Sequence, residues 1–517
     1  PAVSEEMLVD LLMRANRLGI DLGGKFESVD FNPILVWEDQ HRVLDFKVIW
    51  HTQAKSPPRI TPPNTQHLEN FFSAKSVALI GASATPGKIG NAVLDSLLKY
   101  EYQGVVFPIN PGREEIMGAR TYPSLEEIPE KVDLVVVTID LRLVPDVIKV
   151  CADKDIHNLV VISGGGKELG GERTELEAEI RRLAISHDVR VVGPNCIGVF
   201  DGQTRLDTFF QVQERMVRPK AGPVAVLTQS GTIGAAFLED VVATGVSKFV
   251  SYGNRTDVDE ADLLAYLADD PETNLVAMYV EGIENGRKFL NTAREVTKKK
   301  PVVVFKVGRT ERAARASISH TGFFGGSYSV VQGAFKQAGI IAVDSYEELV
   351  ATAKALAMQP PARGPRVAMI SNGAGTMVQG IDLLKSYQLE IPELSPESLR
   401  KLADTYPPFY VVQNPIDVTG SATSTDYEVG IETCMSDPQV DIIMPWFVFQ
   451  DTPLGEDIVQ KLGRLTREYN KPILVGAIGG GPFTIRMSQA IEAEGVPVFH
   501  SVREWIAAAR GLALGRT

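Results

Sequence analysis

The sequence predicts an α/β protein of three doubly wound, parallel-sheet units behind a smaller N-terminal piece. Three observations predict it. Short apolar runs alternate with helical stretches from Phe71 onward. Three of those runs open onto small-residue turns at a helix start: Gly81-Ala82-Ser83, Gln229-Ser230-Gly231-Thr232 and Ser371-Asn372-Gly373-Ala374-Gly375-Thr376. Proline-rich linkers at residues 53–66 and 359–365 separate the pieces. The expected domains are 1–52, a linker over 53–70, then 71–200, 221–357 and 366–513.

Composition narrows the function. The 517 residues are 44% hydrophobic and 23% charged, ordinary for a globular chain with buried cores. Lysine and arginine number 52 against 65 acidic residues, a net charge of −13, which disfavours nucleic acid or an anionic membrane as partner. Cys151, Cys196 and Cys434 lie far apart, so neither a disulfide framework nor a zinc site is expected. No apolar run approaches the roughly 18 residues of a membrane span. The first residues lack the pattern of a signal peptide, so a cytoplasmic setting is expected.

Residues 4–18 have the apolar spacing of an amphipathic helix, and strands are expected at Ser28–Trp37 and Arg42–Trp50. Asn32 and Asp45 would face each other across that ribbon, and oxygen ligands on strands suit Mg²⁺. In the first large unit, strands are expected at Ser76–Ile80, Val105–Ile109, Leu134–Ile139, Asn158–Ile162 and Val189–Val192. The loop from Gly81 to Gly90 meets a helix N-terminus, a natural phosphate seat. It is not Gly-x-Gly-x-x-Gly, and the second strand leads to Arg113 rather than to a carboxylate, which disfavours NAD. An arginine there suits a phosphorylated ribose, which coenzyme A and NADP both carry.

The second unit opens with the strand Val224–Leu227 and the turn Gln229–Thr232, and Glu281 stands at the carboxyl end of the strand Leu275–Val280. Catalytic side chains gather at such strand ends. After the strand at Val302–Lys306 comes Arg315–Ser327, with four hydroxyls, glycines and one imidazole, His320. His320 is the side chain there that could readily accept a phosphoryl group as a nitrogen nucleophile. The third unit repeats the design of the second: strand, hydroxyl, amide, glycine turn, helix. The pair reads as a duplicated flavodoxin-like fold. Its two helix starts, at Ser230-Gly231-Thr232 and Asn372-Gly373-Ala374-Gly375, could clasp one anion between them.

Together with Gly87-Lys88-Ile89-Gly90, Gly193-Pro194-Asn195-Cys196, Ser319-His320-Thr321-Gly322 and Asn414-Pro415-Ile416-Asp417, these motifs carry a resemblance. From about Phe71 to the C-terminal end the chain resembles the NDP-forming acyl-CoA synthetases, of the ADP-forming acetate–CoA ligase and succinyl-CoA synthetase superfamily. The resemblance implies a Rossmann-like CoA-binding domain followed by two flavodoxin-like domains of succinyl-CoA-synthetase type. It implies a carboxylic acid, CoA and ATP as substrates, with acyl phosphate and phosphohistidine as intermediates. His320 would be the carrier and Glu281 its orienting carboxylate, with the two helix starts gripping phosphate. Gly81, Ser83, Lys88, Gly90, Arg113, Thr138, Ser163 and Gly164 would line the CoA site. Pro194, Asn195 and Cys196 would lie near the acyl and thiol end.

Residues 30–33 and 44–47 resemble the closing hairpin of an ATP-grasp domain, with Asn32 and Asp45 on the nucleotide's Mg²⁺. The remainder of that domain would then lie in a longer chain or a partner subunit, and a homo-oligomer is expected. Two loops depart from the family's pattern. Thr138-Ile139-Asp140 stands where relatives have Pro-Ala, and Gly164-Gly165-Gly166-Lys167-Glu168 replaces a glycine-phenylalanine-x-glutamate turn. Two other readings follow from the same scaffold: a CoA-binding regulatory module of an acetyltransferase-type protein, and an ATP- and CoA-dependent lyase. Retention of both His320 and Glu281 favours an enzyme over the regulatory module, and the two altered loops keep the lyase reading open.

Overall fold

A computed structural model describes residues 3–22, 25–51, 61–310, 312–313 and 328–515. The chain forms two compact units, residues 1–62 and 63–517.

In the smaller unit a helix, Glu5–Asp21, is capped by Ser4, whose hydroxyl accepts from the Met7 N–H at 3.3 Å. The two expected strands are each broken in two. Phe26–Phe31 pairs antiparallel with Phe46–Trp50, and Ile34–Trp37 with Gln40–Val43. Pro33, which has no N–H to give a ladder, marks one break, with Leu44-Asp45 opposite it. The ribbon stays continuous through backbone bonds from Asn32 to Asp45 (3.1 Å) and from Leu44 to Pro33 (3.0 Å). Of this unit's described apolar side chains only Met7 is buried, while Leu12, Ile20, Phe46 and Trp50 are each more than half exposed.

The larger unit holds three sheets wound in one way. In the first, the parallel strands Ser76–Ile80, Val105–Ile109, Leu134–Val137, Asn158–Val161 and Arg190–Val192 lie in the spatial order 2-1-3-4-5. The second has Ala221–Thr228, Val246–Ser251, Leu275–Val280, Val302–Lys306 and Ile341–Val343 in the same parallel order. Gly198–Asp201 adds an antiparallel edge strand to it, which no sequence pattern announced. The third repeats the order with Val367–Ser371, Ile416–Asp417, Ile442–Phe447, Val475–Ala477 and Val498–Phe499. The duplication expected of the last two units is therefore present in the winding itself. In the first unit Tyr122 also bridges in parallel to Ile109 at the edge beside the second strand, the place of the third strand in the Rossmann-like 3-2-1-4-5-6 order expected of it.

One apolar cluster runs from Phe71 and Val77 through Tyr252 to Met278, so the first two sheets share a core. The third joins through helices Tyr346–Met358 and Val502–Leu514, which pack together. Among the described residues no helix is long and apolar enough to cross a membrane.

Candidate active site

In a 2-1-3-4-5 sheet the first and third strands are neighbours, and the connections leaving them run to opposite faces. A crevice opens there, at the carboxyl ends of the strands. The larger unit has three such switch points.

At the first lies a cavity of about 560 Å³, walled by Gly81, Asn110, Ile139, Leu143 and Val147 among others. The chain leaves Ile80 through Gly81 at φ +96°, where a Cβ would come within 2.5 Å of the Thr138 hydroxyl. A Cβ on Gly90 would sit 1.9 Å from the Gly81 carbonyl oxygen, so the helix Ile89–Lys99 abuts the turn with no room for a side chain. Lys88 is exposed at the cap position of that helix, and Arg113 is exposed beyond the second strand. Two predicted ligand hydroxyls are engaged internally. Thr138 Oγ1 donates to the carbonyls of Ile80 (3.1 Å) and Gly81 (3.3 Å), and Ser163 Oγ donates to the Ile139 carbonyl. Ser83 Oγ accepts from the Thr85 N–H at 3.1 Å, shaping the loop.

The altered loop is held from within. Glu168 Oε1 accepts from the N–H groups of Gly165 (2.7 Å) and Gly166 (3.1 Å), and Oε2 accepts from Asn254 Nδ2 at 2.7 Å. Burial works to raise the Glu168 carboxyl, but these hydrogen bonds outweigh it and hold the group below its ordinary value. Gly164 is exposed beside it. Next to the loop, Asn195 donates its N–H to the Ser163 carbonyl at 2.9 Å, and its amide reaches Asn254 Oδ1 at 3.4 Å. Cys196 faces the protein interior. Its thiol is buried, donates to the Val161 carbonyl at 3.3 Å, and is pushed by burial up to about 12.

The second and third switch points are built alike. In the second, Thr228 Oγ1 accepts from the Ser230 N–H (3.1 Å) and donates to the Ser230 carbonyl (2.7 Å). In the third, Ser371 Oγ does the same for Gly373, at 2.9 and 3.0 Å. The intervening amide stitches the first strand to the third in both. Gln229 Oε1 accepts from the N–H groups of Glu281 and Gly282, the latter at 2.9 Å, and Nε2 donates to the Gly282 carbonyl at 2.9 Å. Asn372 Oδ1 accepts from the Val448 N–H (2.9 Å) and the Tyr427 hydroxyl (2.7 Å), and Nδ2 donates to the Val448 carbonyl and to Asp451, both at 3.0 Å. The Asn372 side chain is thus committed to the fold, which leaves backbone N–H groups to meet an anion. Ser230 caps the helix Gly231–Asp240, and Gly373 that of Ala374–Leu384. Thr232, Ala374 and Gly375 are exposed in the first turns. Sequence reasoning noticed the two amides only as a repeated letter pattern. Their shared position between hydroxyl and helix start was the signal for their shared job.

Glu281 is buried at the second switch point. His320 lies outside the described residues, between the strand Val302–Lys306 and the helix Tyr328–Gln337. Near Glu281, the buried Glu260 has one carboxylate oxygen without a hydrogen-bond partner and Arg255 at 3.8 Å. Burial raises the Glu260 carboxyl from 4.5 to about 7, against the pull of Arg255. A group raised in the folded state ionises first in the unfolded chain. Its contribution is therefore fully present below pH 4.5 and is lost as pH rises to about 7, at a cost of about 3 kcal/mol. Glu260→Gln, which removes the ionisation, is expected to melt higher than the parent at pH 8 and close to it at pH 5, by thermal unfolding at both.

In the smaller unit, Asn32 and Asp45 are exposed on opposite sides of the ribbon's break. An amide oxygen and a carboxylate are donors of the kind Mg²⁺ takes. His67, His157 and Asp188 also bring their ligand atoms within 4.8 Å. The two imidazoles, however, stack face to face at 4.0 Å with planes 3° apart. In-plane lone pairs of parallel rings do not converge on one ion, so this is a hydrogen-bonded stack on Asp188.

Comparison with known proteins agrees with this geometry. Residues 75–201 match the family model for a CoA binding domain, and residues 221–356 that for a succinyl-CoA ligase like flavodoxin domain. The chain is 34% identical to subunit alpha of acetate–CoA ligase (ADP-forming) II from Pyrococcus furiosus, covering 86% of this chain and 97% of that one. It is 32% identical to acetate–CoA ligase (ADP-forming) II of Archaeoglobus fulgidus, over 96% of this chain and 73% of that protein. The solved dinucleotide forming acetyl-coenzyme A synthetase 1 of Ca. Korarchaeum cryptofilum, in complex with phosphate and ADP, superposes with a TM-score of 0.80. It is 35% identical and covers 87% of this chain and 96% of that one.

Proposed function

From the premise that this chain belongs to the ADP-forming acetate–CoA ligase family, we propose that it is an acid–thiol ligase joining a small carboxylic acid to CoA at the expense of ATP. In the synthetic direction ATP phosphorylates His320 and leaves as ADP. The carboxylate takes the phosphoryl group to become an acyl phosphate, freeing the imidazole, and the CoA thiol then displaces phosphate. Glu281 holds the other ring nitrogen, fixing the tautomer and stabilising the charged ring. The N–H groups at the starts of helices Gly231–Asp240 and Ala374–Leu384 bind phosphate between steps. CoA lies over the loop Gly81–Gly90 with its nucleotide end in the 560 Å³ cavity.

The observation that carries this reading is the pair of equivalently built switch points, one of them bearing a buried carboxylate beside the strand that leads toward His320. ATP enters through an ATP-grasp domain of which the smaller unit is the closing piece, where Asn32 and Asp45 would hold Mg²⁺. The ion would supply positive charge to offset that of the phosphates. The exposed apolar faces around Leu12, Ile20, Phe46 and Trp50 support a covering body of protein. So does the match to the Archaeoglobus protein, which extends over 96% of this chain. The Pyrococcus relative's designation as a subunit alpha supports a separate chain as the alternative source of that domain.

The test is a screen of carboxylic acids for CoA-dependent ADP release by the chain completed with its ATP-grasp part. Release that requires both CoA and one class of short acids is expected. Release with no acid present, or none with any acid, counts against the ligase reading.

A further inference from the structure

Lys306 ends the strand Val302–Lys306 and pairs in register with Val280, the residue before Glu281. It is 3% exposed. Its ammonium donates to the Glu281 carbonyl at 2.8 Å and to the Val307 carbonyl. Lysine has three donors, and the third finds no partner among the described residues. Nor does any described carboxylate lie within ion-pair distance of it. The neighbouring buried cation differs. Arg255 donates to the Gly282 carbonyl and has Glu260 at 3.8 Å as its counter-charge. Every backbone polar atom of Glu281-Gly282 is thus held by a buried side chain: both N–H groups by Gln229, the first carbonyl by Lys306, the second by Gln229 and Arg255.

We propose that Lys306 is a positioning residue for phosphoryl transfer, its ammonium stapling the strand end that bears Glu281 to the strand end that leads into the His320 segment. This rests on the reading of His320 as carrier. A buried ammonium is costly to keep and is retained where its charge is used. With no described carboxylate within ion-pair distance, it favours a phosphoryl anion brought to the same strand ends, while fixing the backbone that carries Glu281. Among the described residues the charged groups facing it are Glu281 on the adjacent strand and Arg255 from the turn after Val246–Ser251. Burial lowers the affinity of Lys306 for its proton, Arg255 adds to that, and Glu281 opposes it.

The experiment uses the enzyme complete with its ATP-grasp part, γ-labelled ATP and Mg²⁺, and follows labelling of histidine. Lys306→Met is expected to label about 10²-fold more slowly, with CoA affinity unchanged. Lys306→Arg is expected to recover part of the rate, and to move the alkaline fall of the rate to higher pH, because a guanidinium stays charged there. Wild-type labelling by Lys306→Met overturns the proposal, as does a parallel loss of rate and CoA affinity. Should Lys306→Met not fold, an alkaline limb unmoved in Lys306→Arg overturns it. His320→Asn, run alongside, separates the two ideas. Label persisting there removes the carrier, whereas label lost there but normal in Lys306→Met removes only Lys306.

Discussion

His320→Asn is expected to abolish phosphoryl labelling of the completed enzyme by γ-labelled ATP, and with it all ADP-forming ligation, while CoA binding persists. The loss should be complete, because a covalent carrier has no substitute in a relay whose steps each need the group on one atom. Asparagine keeps a polar side chain of similar reach and has no nucleophilic nitrogen. The chemistry of the label is part of the prediction. A phosphoramidate on imidazole is acid-labile and base-stable, whereas esters on Ser317, Ser319, Thr321 or Ser327, the hydroxyls of the same stretch, survive acid. CoA binding should survive because the cavity proposed for it belongs to the first sheet, and the strand leading to His320 belongs to the second. An acid-labile label that persists in the variant would sink the assignment of His320.

Glu281→Gln is expected to slow phosphoryl transfer by about 10²–10³ without changing CoA affinity. The substitution keeps the side chain's length and removes its charge, so the imidazolium formed during transfer loses its counter-charge. The loss is not expected to come from structural collapse, since Gln229, Lys306 and Arg255 hold the local backbone through its amides and carbonyls rather than through the Glu281 carboxylate. Rapid-quench labelling separates the step from product release. Wild-type labelling rates in the variant would remove Glu281 from the mechanism.

How far the site could be read in advance depended on how local each feature is. The turn at Gly81 and the helix start at Ser230 depend on a few adjacent residues, so their letters are visible in one pass. The smaller unit's ribbon reads as two long strands in sequence, and the missing N–H of Pro33 marks where the ladder breaks. Cys196 shows the opposite limit. Its neighbours Pro194 and Asn195 stand at a sheet's carboxyl end, yet its own thiol turns inward to Val161, 35 residues away in sequence. Thr138 and Ser163 look like ligands by position, and their hydroxyls are engaged by strand-end carbonyls.

By itself the sequence determined three α/β units, the repeat of strand, hydroxyl, amide and helix start in the last two, and the candidates His320 and Glu281. The units and the repeat follow from period, composition and turn chemistry, which act over a few residues, and the roles of His320 and Glu281 follow from the family resemblance that the motifs carry. Only the tertiary structure decided which strands are neighbours. The 2-1-3-4-5 order sets the first strand of each unit beside the third. That adjacency turns Gln229 and Asn372 into stitches across the switch points, and in the second sheet it brings Lys306 under the Glu281 carbonyl from the fourth strand. Strand order is settled by how helices pack on both faces of a sheet, a non-local balance that no window of adjacent residues contains.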